Sequence, residues 1–122
     1  MTPKKILIVD DDPGFLSLIV DYFKPEGYRV FTSNNLEDTI RLFQKEHPKV
    51  VLLDFNMPLV TGEKLLPVLQ TIDPAVRVIV VTGLAQGEVE EKFKGSGYFA
   101  FFEKGNLSFE ALKTKVDEAL DY

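Results

Sequence analysis

Short apolar runs alternate along the chain with segments of helical periodicity. Four consecutive apolar residues predict a buried strand over residues 6–9, and apolar positions three and four apart predict a helix after it. The inward positions of that helix are Phe15, Leu16, Ile19, Val20 and Phe23. Asp12 is a suitable N-cap and Pro13 suits the first helical position, so the helix begins there and should stop near residues 25–27.

The same alternation continues to the end of the chain. Further strands are predicted over residues 28–32, 50–53, 76–81 and 98–102. A second helix, capped by Asn34 or Asn35, should end before His47, and a short third helix covers residues 63–69. Pro67 should kink that third helix unless it lies in the first turn. A polar helix over residues 88–93 and a last helix capped by Ser108 complete the series.

This order of elements predicts an α/β fold. About five strand and helix units with right-handed crossovers make a flavodoxin-like, doubly wound (βα)5 three-layer sandwich. We expect a five-stranded parallel sheet of order 2-1-3-4-5 and a single domain over residues 1–122. In such a sheet the C-terminal ends of the strands lie on one edge, where ligands bind.

Polar residues follow several of the predicted strands at that edge. The acids Asp10 and Asp11 follow the first strand and Asp54 follows the third, while Thr82 follows the fourth and Lys104 the fifth. Two like charges about 4 Å apart repel by about 4 kcal/mol at an effective dielectric of about 20, so we expect a cation among the acids. Oxygen ligands favour a hard divalent ion such as Mg²⁺. A carboxylate, a metal, a hydroxyl and an ammonium together suit phosphoryl transfer onto an aspartate.

Composition and charge limit the possible partners. The chain has 122 residues, of which 45% are hydrophobic and 27% charged, as is typical of a globular domain. A net charge of -5 argues against direct binding of nucleic acid. The chain has no cysteine, which excludes disulfides and thiolate metal sites and fits a cytoplasmic location. No apolar segment approaches the roughly 20 residues that span a bilayer, so we expect no membrane association.

The motifs ILIVDDD, LLDFNMP, VVTG and FFEK, in this order and spacing, resemble the receiver domain of two-component response regulators, of the chemotaxis-regulator-like kind. The resemblance covers nearly the whole chain. It implies that Asp54 is the phosphoacceptor, Asp11 a direct ligand of Mg²⁺ or Mn²⁺, and Asp10 a ligand through water. Asn56 would add its backbone carbonyl to the metal, and Asp54 would also contact it.

The resemblance also implies roles for three residues on the later strands. Thr82 would hydrogen-bond the phosphoryl group, Lys104 would form an ion pair with it, and Phe101 would be the aromatic switch residue. The chain would then be a phosphorylation-dependent signalling switch rather than an enzyme. Its partners would be a histidine kinase or phosphotransfer protein, and a downstream protein or a covalently linked output domain. Switching, and a possible homodimer, would involve the face of helix 4, strand 5 and helix 5.

Three positions depart from the family pattern. Gly105 stands where the family usually has a proline, and a non-proline cis bond costs about 2.5 to 4 kcal/mol, so we expect a trans bond and a less firmly aimed Lys104. Phe101 lacks the hydroxyl of a tyrosine, so its switching must be steric. Leu84 lies where the family tunes access of hydrolytic water, and its apolar side chain predicts slow self-dephosphorylation.

Three other functions fit parts of the sequence. Asp10 and Asp12 superficially match the two-aspartate motif of an Mg²⁺-dependent phosphohydrolase of the haloacid dehalogenase type. An FMN-binding flavodoxin-like module would share the fold, although the acids after the first strand would repel the phosphate of FMN. A degenerate receiver could act only as an interaction module, an alternative that Gly105 keeps open.

Overall fold

A computed structural model of the protein describes residues 3–57, 62–92, 95 and 97–121. Five parallel strands form one sheet within these residues: β1 Lys4–Val9, β2 Tyr28–Ser33, β3 Val50–Leu53, β4 Arg77–Thr82 and β5 Ala100–Glu103. Their order across the sheet is β2-β1-β3-β4-β5, as the sequence predicts. The register pairs Val9 of β1 with Leu53 of β3, and Thr82 of β4 with Glu103 of β5. The strand ends that precede the predicted site residues therefore lie side by side.

The helices are α1 Pro13–Phe23, α2 Leu36–Glu46, α3 Gly62–Ile72, α4 Gln86–Lys92 and α5 Phe109–Asp121. Short 3-10 turns cover Lys24–Glu26 and Lys104–Asn106. Three predicted caps are confirmed: Asp12 accepts hydrogen bonds from the backbone N–H groups of Gly14 and Phe15, Asn35 from that of Asp38, and Ser108 from that of Ala111. Within the described part of the chain, no helix is both long and apolar enough to cross a membrane.

The helices cover the sheet from both faces because successive strand residues point to opposite sides. Ile6 and Ile8 of β1 belong to a core cluster that also takes in Phe15 and Ile19 of α1 and Leu112 of α5. Their neighbours on the other face belong to a second cluster, with side chains from the remaining helices: Leu7, Val9, Phe43, Leu65, Leu66, Leu69 and Val89. The predicted three-layer sandwich is confirmed.

Several element boundaries differ from those that the sequence predicts. Strand β5 begins at Ala100 rather than at residue 98, and α4 begins two residues early at Gln86. The predicted end of α4, Phe93, lies outside the described residues. Pro67 lies inside α3 rather than in its first turn, and the helix continues to Ile72. Buried Leu65, Leu66 and Leu69 anchor this helix to the core, so packing outweighs the backbone hydrogen bond that proline cannot make.

Candidate functional site

Three acids meet at the C-terminal edge of the sheet. Asp10 directly follows β1 and Asp54 directly follows β3, and these strands are hydrogen-bonded neighbours. Carboxylate oxygens of Asp10, Asp11 and Asp54 all lie within 4.8 Å of one another. Asp10 and Asp54 are buried, with 1% and 4% of their surface exposed, whereas Asp11 is exposed. The predicted convergence of distant acids is therefore present, with one carboxylate open to solvent.

Backbone hydrogen bonds orient the two buried carboxylates in the same way. Oδ1 of Asp10 accepts from the backbone N–H of Asp12 at 2.9 Å. Oδ1 of Asp54 accepts from the backbone N–H of Asn56, also at 2.9 Å. In each case the donor lies two residues further along the chain, so the turn that follows the strand fixes the side chain. Hydrogen bonds of this kind to a carboxylate are charge-assisted and strong.

Lys104 bridges the remaining oxygens of these two acids. Its Nζ lies 2.7 Å from Oδ2 of Asp10 and 3.2 Å from Oδ2 of Asp54. No peptide bond between described residues is cis, so the bond from Lys104 to Gly105 is trans, and the segment forms a 3-10 turn. Lys104 contacts the acidic cluster although Gly105 follows it, and the less firm aim that the sequence suggests stays a prediction.

The bridge has different effects on the pKa values of Asp10 and Lys104. Burial raises the pKa of Asp10 above its usual range, and the hydrogen bonds from Lys104 and Asp12 offset only part of that effect. Burial alone would lower the pKa of Lys104, but its hydrogen bond to Asp10 and the charges of Asp54 and Asp10 outweigh it and raise the pKa. The contact therefore favours the charged form of Lys104, but it does not bring the pKa of Asp10 back to its usual range. A second cation would be favourable beside these acids.

An aromatic ring also contacts this lysine. Nζ of Lys104 lies 4.6 Å from the centroid of the Phe15 ring. The sequence places Phe15 only on the apolar face of α1 and gives it no part in the site. Its position as the first inward residue of that helix, just after the acid triplet, is the signal that could have pointed to the site. The ring comes from α1, and the acids follow β1 and β3, so separate elements hold Lys104.

The other predicted residues lie on or shortly after strands β3, β4 and β5. Thr82 ends β4 at the same edge of the sheet and is fully buried, and its Oγ1 accepts from the backbone N–H of Leu84 at 3.4 Å. Leu84 is partly buried against the core. Phe101 pairs with Val80 within the sheet and is likewise partly buried. Asn56 has an exposed side chain, and the contact it makes with Asp54 is through its backbone N–H.

The donor set fits a hard divalent cation. Three carboxylates from two strand ends offer only oxygen atoms, which Mg²⁺ and Mn²⁺ prefer, and the exposed Asp11 leaves room for water ligands. A buried carboxylate, an ammonium and a hydroxyl at the end of an adjacent strand are the groups that phosphoryl transfer to an aspartate requires. Fold and site together define a parallel α/β domain with a cluster of three acids and a lysine at the C-terminal edge of its sheet.

Comparison with known proteins identifies the family. The family model for the response regulator receiver domain matches residues 6–117, and the chain belongs to this family. Receiver domains are signalling domains of two-component systems, generally not enzymes, and they bind Mg²⁺ at a cluster of acidic residues. They interact with histidine kinases or phosphotransfer proteins and with output domains.

Individual relatives agree with this assignment. Sporulation initiation phosphotransferase F of Bacillus subtilis is 35% identical over 104 residues, which cover 85% of this chain and 84% of that protein. The transcriptional regulatory protein GlrR of Escherichia coli is 31% identical over 121 residues, but the chain spans only 27% of its length. Among solved structures, the BeF3-activated DrrB receiver domain superposes with a TM-score of 0.86 at 26% identity, over 99% of this chain and 100% of that one.

The family assignment also bears on the alternative functions. It places the chain with receiver domains rather than with haloacid dehalogenase-type phosphohydrolases or FMN-binding modules. The structure adds a physical reason, because Oδ1 of Asp12 accepts from Gly14 and Phe15 as a helix cap. Asp12 therefore serves α1 rather than forming a catalytic pair with Asp10.

Proposed function

We propose that this protein is a phosphorylation-dependent switch in which Asp54 accepts a phosphoryl group from a histidine kinase or a phosphotransfer protein. The observation that carries the proposal is the position of Asp54, buried within 4.8 Å of two other carboxylates and hydrogen-bonded to Lys104 at 3.2 Å. A buried carboxylate that contacts an ammonium and belongs to a cluster of possible metal ligands is suited to accept a phosphoryl group.

In the proposed reaction, an Asp54 carboxylate oxygen attacks the phosphorus of a phosphohistidine in line with the leaving nitrogen. An O–P bond forms as the P–N bond breaks, and the imidazole leaves with the bonding pair and takes up a proton. Asp11, Asp54 and the backbone carbonyl of Asn56, with Asp10 through water, would hold Mg²⁺, whose charge would offset that of the transferring group. Lys104 would pair with one phosphoryl oxygen and Thr82 would hydrogen-bond another.

The charge added next to β3 would affect β4 and, beyond it, β5. A dianionic phosphoryl group on Asp54 would attract the Thr82 hydroxyl and the Lys104 ammonium to its own oxygens; Thr82 ends β4 and Lys104 follows β5. Oε1 of Glu103 accepts from the backbone N–H of Gln86 at 3.2 Å and so ties β5 to the first turn of α4. A shift of these strand ends would therefore reach the face of α4, β5 and α5, with Phe101 moving sterically.

The proposed partners follow from this mechanism. The donor is a histidine kinase or phosphotransfer protein, and the output is a downstream protein or a covalently linked domain, as the length of GlrR beyond the matched region allows. The chain would act as one receiver domain over residues 1–122, in the cytoplasm, without direct nucleic-acid or membrane contact. A homodimer would form through the face of α4, β5 and α5.

Intact-mass spectrometry after incubation with Mg²⁺ and acetyl phosphate tests the proposal. We expect one phosphoryl adduct on the native protein, no adduct on Asp54→Asn, and an adduct on Asp12→Asn. Asp12→Asn is the matched control because it changes an acid of the same strand end while asparagine still caps α1. An adduct on Asp54→Asn would contradict the assignment of the acceptor. No adduct on the native protein would favour the degenerate interaction module.

A further inference from the structure

We infer that Phe15 is a positioning residue for Lys104, whose own part in phosphoryl transfer rests on the proposed function. The face of the Phe15 ring holds the ammonium beside Asp54, so that the lysine is aimed by a side chain of α1. Neither the sequence motifs nor the family assignment gives Phe15 a part in the site.

The geometry is that of a cation–π contact. Nζ of Lys104 lies 4.6 Å from the ring centroid, inside the range of about 6 Å over which a cation is attracted to an aromatic face. The ring itself is fixed, because Phe15 is only 9% exposed and belongs to the core cluster on the α1 side of the sheet. The Lys104 side chain is 21% exposed, so the contact is partly shielded from water.

The three contacts of the ammonium fix it from different directions. Asp10 and Asp54 approach from the ends of adjacent strands, and Phe15 approaches from the first turn of α1. When a phosphoryl group or a metal ion takes up the carboxylate oxygens, the two ion pairs change. The ring does not take part in either event, so it is the one contact of the three that can persist through them.

The residue after Lys104 has no side chain that could support the lysine. Gly105 has no Cβ, no atom lies within 4 Å of where one would be, and its backbone is outside the left-handed region that would require glycine. Residue 105 therefore gives the turn no side-chain contact, and the turn is closed by the hydrogen bond from the backbone N–H of Leu107 to the carbonyl of Lys104. A lysine on such a turn needs contacts at its own tip to stay oriented, and the ring of Phe15 supplies one.

Nuclear magnetic resonance tests the contact without any phosphorylation step. Protons that lie over a ring face are shifted upfield, so the Hε protons of Lys104, assigned by comparison with Lys104→Arg, should resonate upfield of those of the other lysines. Cross-relaxation between these protons and the Phe15 ring should also be observed. Both measurements use the native protein, so the inference can fail even if a Phe15 variant does not fold.

Three variants separate positioning from packing. Phe15→Leu should abolish the upfield shift, and Phe15→Tyr, which keeps the ring, should restore it. Phe109→Leu is the matched control: Phe109 packs against the same cluster and stacks on Tyr22 with centroids 5.1 Å apart, so its loss should leave the Lys104 shift unchanged. An Hε shift that is ordinary in the native protein, or unchanged in Phe15→Leu, would overturn the inference.

Phosphorylation by acetyl phosphate then measures the consequence. Phe15→Leu should slow the reaction by about two- to thirtyfold, the factor that corresponds to a cation–π contact of about 0.5–2 kcal/mol, and Phe15→Tyr should recover it. A normal rate in Phe15→Leu, with the shift lost, would overturn the positioning role. Failure of the native protein to be phosphorylated would count against the proposed function alone, since the proton shifts are measured without it.

Discussion

Asp10 is a buried carboxylate whose burial is not fully compensated. Because folding raises the pKa of Asp10, the folded state binds more protons than the unfolded state between the two pKa values. The free energy of unfolding that depends on Asp10 therefore falls as the pH rises through that interval. Asp10→Asn, which keeps an acceptor for the N–H of Asp12, should stabilise the metal-free protein at neutral pH by about 1 kcal/mol.

Urea unfolding in the presence of a chelator, at a series of pH values, measures this effect. The advantage of Asp10→Asn should be largest at neutral pH and shrink as the pH falls and Asp10 takes up a proton. Lys104 keeps its contact with Asp54 in the variant, so no unpaired buried ammonium is created. A less stable Asp10→Asn at neutral pH would mean that the ion pair outweighs the cost of burial.

Gly105 and Gly27 make a matched pair of glycine positions. At both, an added Cβ would meet no atom within 4 Å, but Gly27 has a φ of 93° whereas the backbone of Gly105 is compatible with other residues. Gly105→Ala should therefore stabilise the fold by about 0.4–1 kcal/mol through the unfolded state, and Gly27→Ala should destabilise it by about 1 kcal/mol. Thermal unfolding of the two variants checks both signs, and equal effects would contradict the conformational explanation.

We expect Leu84 to affect the lifetime of the proposed phosphorylated state. Its backbone N–H donates to Thr82, while its side chain packs against the core and offers no polar atom to orient water. We expect phosphorylated Asp54 to persist for minutes or longer, and Leu84→Asn to shorten that lifetime. Following the phosphoryl adduct by mass after removal of acetyl phosphate gives the rate. A lifetime of seconds in the native protein would exclude this role for Leu84.

Sequence reasoning locates the acids and the lysine but not all of their neighbours. Asp10, Asp54 and Lys104 could be placed because each follows a buried strand, and parallel strand ends share an edge. The ring of Phe15 could be assigned to the inward face of α1 from its spacing alone. Its contact with Lys104 depends on the path of the turn after β5, which no local pattern encodes.

Strand β2 and helix α5 are joined by a partly buried polar contact. Tyr28, which is 3% exposed, donates from its hydroxyl to Asp117, and Lys113 contacts the same carboxylate at 3.2 Å. Burial and the hydrogen bond to Asp117 raise the pKa of Tyr28. Burial alone would raise the pKa of Asp117, but the hydrogen bonds from Tyr28 and Lys113 outweigh it and lower that pKa.

The two pKa shifts predict a pH range in which the contact between Tyr28 and Asp117 stabilises the fold. A lowered carboxyl pKa stabilises the fold above the unfolded value of about 3.9, and a raised tyrosine pKa stabilises it below about 10. Tyr28→Phe should therefore cost about 1 kcal/mol between these limits and progressively less outside them. Urea unfolding from acid to alkaline pH measures the difference from the native protein. A constant difference at every pH would indicate lost packing rather than the hydrogen bond.

The elements themselves were predictable to different degrees. Residues 6–9 of β1 and the whole of β3 are continuous apolar runs that stop at an acid, so the position of both strands follows directly from the sequence. The sequence predicts only residues 63–69 of helix α3 and a kink at Pro67, whereas the helix runs from Gly62 to Ile72 with buried leucines on both sides of Pro67. The aromatic run begins at residue 98, two residues before β5, so composition alone could not locate the start of that strand.

For the molecule as a whole, three of the negative charges lie together at the acidic edge, in a chain whose net charge is -5. A divalent cation bound there should stabilise the folded state by mass action, by about 2.7 kcal/mol when its concentration is about 100 times the dissociation constant. The midpoint of thermal unfolding should therefore rise with added Mg²⁺. Asp11→Asn, which removes the exposed carboxylate of the cluster, should reduce that rise.

Lys104 competes with such a cation, because its ammonium already contacts the oxygens of both Asp10 and Asp54. Lys104→Ala should thus bind Mg²⁺ more tightly than the native protein, by about tenfold or about 1.4 kcal/mol. Lys49→Ala removes the same charge from a lysine that donates to the carbonyl of Leu120 near the end of α5. If titration calorimetry finds tighter binding in Lys104→Ala but not in Lys49→Ala, the effect is direct competition at the carboxylates. Equal gains in both variants would instead assign it to net charge.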